Sequence, residues 1–135
     1  MKKLLYLVAI LLLIVFTVQA QEMPKKSFER AEKGYLCALS SDNTGLTEDA
    51  VFCVLIFYAR YPDNDFSKME EQLRKLAFNG STSMIRIKAY MAFQSLKSRT
   101  WFDDAKTAMK EHNPEDMFTI LSEHFIENER MFVRN

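Results

Sequence analysis

The sequence predicts an all-α domain of about six short helices, arranged as three stacked antiparallel helical hairpins. Three observations carry this. Apolar residues recur at helical spacing between capping signals along residues 21–135. Three segments repeat one pattern. Phe28, Phe66 and Phe102 are each followed three positions later by Ala31, Met69 or Ala105, and seven positions later by Tyr35, Leu73 or Met109. The repeats start 38 and 36 residues apart, a period that marks stacked units, none of which buries its apolar face alone. Finally, the 135 residues contain only 3 glycines and 3 prolines, which argues against low complexity and disorder.

The first helix is expected in "SFERAEKGYLCAL", with Ser27 as its N-cap. "SSDNTG" stops it, because Asp42, Asn43 and Gly45 are turn formers. The second, "TEDAVFCVLIFYARY", takes Thr47 as cap and carries Glu48 and Asp49 in its first turn, where the helix dipole favours negative charge. "VFCVLIFY" alone reads equally as a strand. The acidic start and the length of about 15 residues favour a buried helix, which "YPDND" ends at Pro62. "DFSKMEEQLRKLAF" places Phe66, Met69, Leu73, Leu76 and Ala77 on one face. Asn79-Gly80 closes that helix, both residues tolerating the left-handed conformation. "STSMIRIKAYMAFQSLK" supplies the fourth helix. "TWFDDAKTAMKEH" opens the fifth, with Thr100 and Asp103 at capping-box spacing. The sixth follows Asn113 as cap, with Pro114 as first helical residue and Glu115 and Asp116 behind it.

Ahead of this domain, residues 1–20 form a secretory signal: the positive "MKK", the 15-residue apolar run Leu4–Val18, and "VQA" with cleavage expected after Ala20. The run is shorter than the roughly 20 residues of a membrane span, so no stable span is expected after cleavage. The dibasic start and the Ala20-Gln21 junction resemble bacterial export signals and point to the periplasm or the cell exterior. Loss of Lys2 and Lys3 leaves 16 basic residues against 18 acidic ones in residues 21–135. That balance gives no electrostatic footprint for nucleic acid.

The fourth helix, "IRIKAYMAFQSL", resembles the second helix of a HEAT repeat, with Ile85, Arg86, Ala89, Ala92, Phe93 and Leu96 at the pattern positions. "QLRKLAFNGSTS" before it looks like the end of a first helix and its turn, so the resemblance covers about residues 70–97. It implies a right-handed stack of about three hairpins that binds other proteins along the surface of its second helices. An exposed patch around Arg86 and Tyr90 is the expected contact, joined by Arg99 and Trp101, since Trp and Arg are favoured interface anchors. For Trp101 the better fit is the seam between the second and third hairpins.

Residues able to carry chemistry are few. Cys37 and Cys53 are the only two cysteines. In a hairpin whose turn centres on Gly45 they stand level, which in an oxidising compartment predicts a disulfide. Such a loop contributes roughly 3 kcal/mol in the chain-entropy picture. The alternative is two thiols packed as small apolar residues. Their separation fits neither paired zinc ligands nor a redox Cys-x-x-Cys. His112 sits at the last turn and His124 ten residues into the sixth helix, roughly 15 Å apart along its axis. Glu123, His124 and Glu127 form at most a weak ligand set, and His124 is expected level with Asp103 or Asp104. "SSDNTG" lacks the closing glutamate of an EF-hand loop. "NGS" at Asn79 fits a glycosylation sequon, but in a bacterial protein it is only a helix stop. No phosphate loop, nucleophile elbow or cofactor motif is present. The expectation is a non-enzymatic interaction or scaffold module with an unidentified protein partner and no cofactor. The competing reading is a periplasmic ligand carrier or an enzyme using cysteine, histidine and carboxylate groups.

Overall fold

The computed structural model describes residues 22–98, 102, 103, 106 and 114–133, with side chains 116–123, 126 and 127 in the last segment. The described residues contain five helices and no strand: α1 Lys25–Leu39, α2 Thr44–Arg60, α3 Ser67–Asn79, α4 Ser83–Lys97 and α5 Pro114–Val133. Phe102, Asp103 and Lys106 are helical as well. Residues 1–20, where a signal is expected, lie outside the described residues, and none of the described helices is long and apolar enough to cross a membrane.

Successive helices pair as hairpins, α1 with α2 and α3 with α4. The hairpins also stack in register: α1 packs on α3, α2 on α4, and α5 on α4. One aromatic cluster explains the register. Phe28 of α1 meets Phe66, which precedes α3, edge to face at 5.2 Å, and Phe57 of α2 stacks on Phe28 at 5.3 Å. Tyr58 then touches Phe66 at 5.0 Å and Phe102 at 4.6 Å. The three phenylalanines of the sequence pattern thus lie along one row. Aromatic pairs in such geometries contribute about 0.5–1.5 kcal/mol each beyond their buried area.

The apolar "VFCVLIFY" is helical, as its length and acidic start predict. Val51, Val54 and Leu55 are fully buried and Phe57 nearly so. On α4, Ile85, Ala89 and Ala92 are buried, the alanines letting neighbouring helices approach closely.

Caps differ from expectation at three places. Residue 24, a proline, precedes α1, so Ser27 lies within the helix rather than capping it. α2 starts at Thr44 because the Asn43 side chain accepts the Leu46 N–H at 3.1 Å. Thr47 lies inside, its hydroxyl donating to the Ser41 and Asn43 carbonyls. A hydroxyl able to return to the backbone is no unique cap signal. Gly80 closes α3 at φ −57° and ψ 145°, not in the left-handed region. Its requirement is steric: an added Cβ would lie 2.6 Å from the Leu76 carbonyl oxygen and 2.8 Å from Ile85 Cγ2. The Thr82 side chain caps α4 by accepting the Ile85 N–H. α5 begins at Pro114 as expected, and Asn113 lies outside the described residues.

Two ion pairs bridge the hairpins, one in each layer. Lys68 Nζ of α3 meets the buried Glu32 of α1 at 2.7 Å, and Lys88 of α4 meets Glu48 of α2 at 3.3 Å. Ahead of α1, Met23 exchanges two backbone hydrogen bonds with the Asn64 side chain, tying the entering chain to the α2–α3 loop.

The outer face of α4 as candidate functional site

α4 buries one side and leaves another open. Its buried residues are Ile85, Lys88, Ala89, Met91, Ala92 and Ser95. Helical phase puts Arg86, Ile87 and Tyr90 on the side away from Ile85, Ala89 and Ala92. There they form the floor of an open groove of about 390 Å³, which Met91 also reaches. Ala77 of α3 supplies one wall, and Ser122 and Ile126 of α5 supply the other. The groove is apolar for a surface feature. Ile87 is 53% exposed and Ile126 49%; elsewhere on α3 and α4, Phe78 and Met84 are exposed as well. A contiguous apolar surface of this kind marks a contact site more often than scattered exposed residues do.

Charge is divided across the groove. On the α3 side, Arg86 Nη1 donates to the Gly80 carbonyl at 2.8 Å, tying α4 to the end of α3. Arg74 lies further out on that side, clasped by Glu71 through two hydrogen bonds. Beyond the α5 wall stand the exposed carboxylates Glu123 and Glu127.

Of the four residues expected at a partner surface, Arg86 and Tyr90 come together in this groove. Arg99 and Trp101 lie outside the described residues. Ile87, Ile126, Phe78 and Met84 were not anticipated. Ile87 lies near the buried Ile85 in the same helix, so nothing local set it apart, and Ile126 joins the groove only through the packing of α5 on α4.

The expected disulfide is corrected. Cys37 and Cys53 are both free thiols, Cys37 exposed and Cys53 partly covered. Pairing by residue number sets two positions level along a hairpin but does not set their rotation about the helix axes. On α1 the inward residues are Phe28, Glu32, Tyr35 and Leu39. Cys37 stands two residues from both Tyr35 and Leu39, roughly 200° around the helix. Cys53 faces Tyr35 closely enough to help raise its phenol, after burial and against the opposing pull of Arg60. Burial also pushes the Cys53 thiol up, and Asp49 adds to the effect. A raised thiol is a poor nucleophile near neutral pH, because the thiolate is the reactive form.

The remaining sequence candidates do not assemble. His112 and the His124 side chain lie outside the described residues, and Asp103 is exposed. No cluster of three metal-ligating side chains occurs among the described residues. A second, polar cleft of about 280 Å³ lies between α1 and α3, where Glu32 is already engaged by Lys68. Comparisons of the chain with family models, curated proteins and solved structures returned no match.

Proposed function

We propose that the chain is an exported small helical-repeat protein that binds another protein through the outer face of α4, with no catalysis of its own. In this reading residues 1–20 leave as a signal and residues 21–135 form three HEAT-like hairpins. The first helix of the third hairpin begins at the helical residues Phe102 and Asp103, and α5 is its second. The chain then acts in the periplasm or outside the cell. One observation carries the proposal: the apolar groove over Ile87 and Tyr90, open between α3 and α5. The register of α1 on α3 and α2 on α4 supports the repeat, as does the aromatic row that reaches Phe102. The alternative, a carrier or enzyme built on cysteine, histidine and carboxylates, draws no support from a raised Cys53 thiol and an exposed Cys37.

The test is the native size of the exported chain in its own host. Wild type is expected in a species larger than itself, and Ile87→Glu is expected at the size of the free chain. Glu29→Lys, an exposed change on α1, should behave as wild type. A wild-type chain found only at its own size, or one whose size Ile87→Glu does not alter, removes the proposal.

A further inference from the structure

We propose that the groove on α4 takes a second copy of this chain, seated face to face across a two-fold axis parallel to α4. This deepens the interaction reading above and rests on it. The face is complementary to itself. The groove has an apolar floor and wall, with Ile87 and Ile126 half exposed. Cationic Arg86 lies on its α3 side, where the guanidinium reaches the Gly80 carbonyl. Exposed Glu123 and Glu127 lie beyond its α5 wall. A two-fold axis along α4 exchanges the two sides, so the Arg86 side of each copy faces the Glu123 and Glu127 side of the other. An axis in the same plane but across α4 would set like charges against like. An isologous contact uses one patch twice, and this patch carries both the anion and the cation that such a contact needs. Ile87 and Tyr90 lie nearest the axis, where the energy of an interface concentrates.

The size of the patch sets the strength. Three helices side by side are about 20 Å wide and 15 residues about 22 Å long, a footprint below the ~800 Å² per partner of a standard interface. The pairing is therefore a reversible monomer–dimer equilibrium rather than an obligate dimer.

Sedimentation equilibrium on the exported chain purified from its host, over a concentration series, tests this. Wild type is expected to pass from monomer to dimer with rising concentration. Ile87→Glu and Ile126→Glu, on exposed positions of two different helices, are each expected to raise the dissociation constant about 30-fold or more. Glu123→Lys with Glu127→Lys is expected to weaken the dimer, and Glu29→Lys to leave it unchanged. Far-UV circular dichroism confirms folding, and the second isoleucine variant serves if the first fails to fold. Wild type that stays monomeric throughout, or a dimer indifferent to both isoleucine variants, overturns the inference. A pure monomer that still runs in a larger, Ile87-dependent species in its host overturns the second copy alone and leaves the interaction reading standing. A chain monomeric in both settings removes both.

Discussion

Lys88 Nζ lies 3.3 Å from the Glu48 carboxylate, and both the ammonium and its stem are withdrawn from solvent, with the side chain only 8% exposed. The same ammonium stands 5.3 Å from the centre of the Phe118 ring. One cation therefore links α2, α4 and α5. Removing the carboxylate from a buried charge is more damaging than replacing the charge with an apolar side chain of similar shape. Glu48→Ala is expected to cost about 1–3 kcal/mol, and Lys88→Met less than Glu48→Ala. Urea unfolding of the two variants checks the order; the reverse order contradicts it.

Gly34 and Gly80 should respond in opposite directions. Gly34 lies inside α1 with open space around the position of a Cβ, whereas at Gly80 a Cβ meets backbone at 2.6 Å. Gly34→Ala is expected to stabilise by about 0.5–1 kcal/mol. Gly80→Ala is expected to destabilise by about 1–3 kcal/mol through overpacking. Thermal unfolding of both reads the signs directly.

Phe66 should be among the costliest single truncations. Its ring is 6% exposed and touches the rings of Phe28, Phe57 and Tyr58 at 5.0–5.4 Å. Phe66→Ala is expected to cost about 3–5 kcal/mol. Ile56→Ala, at a half-exposed site on α2, should cost far less.

The cysteines should react in sequence. Cys37 is exposed and should alkylate first without reduction. Cys53 should lag, since burial and Asp49 hold its thiol above the ordinary 9.0. Linkage gives the sign of a second effect. A proton held more tightly in the folded state contributes stability that is complete below pH 9.0 and is lost as pH rises through the folded value. Cys53→Ala should therefore blunt the fall in stability above pH 9. Mass spectrometry against time, and unfolding against pH, read these two outcomes. A chain that takes no alkyl group until reduced would contradict the free thiols.

On the acid side, Asp65 is lowered by its hydrogen bonds from Ser67, and Glu71 by its hydrogen bond from Arg74. Lowered carboxylates stabilise above their ordinary values and lose that contribution as pH falls through the folded ones. Both groups are fully exposed, so Asp65→Asn and Glu71→Gln should shift the acid limb only slightly, in the direction of lost stability above pH 4.5.

The helices were legible in the sequence because their signals are local. The apolar spacing of Met69 and Leu73, and Pro114 at a helix start, name their elements without reference to neighbours. The Phe28–Phe66 repeat was legible because one packing problem is solved twice with the same residue. Cap positions were less so, since Ser27, Thr44 and Thr47 all offer hydroxyls and only tertiary position selects among the starts. The cysteines misled for a related reason: residue number fixes height along a hairpin, while rotation depends on which stripe each helix buries. Half of the α4 surface was readable from Arg86 and Tyr90. Ile87 was hidden among buried neighbours of the same type, and Ile126 belongs to it only through the packing of α5 on α4.

The most direct test of the central claim is site-specific photocrosslinking in the host. A photoreactive residue is placed at Ile87, in the groove, and in a separate chain at Glu29 on exposed α1. A discrete adduct is expected from position 87, heavier than the chain and absent at position 29, with a mass twice that of the chain if the partner is a second copy. No adduct at position 87, or the same adducts from both positions, would contradict the assignment of this face as the interface.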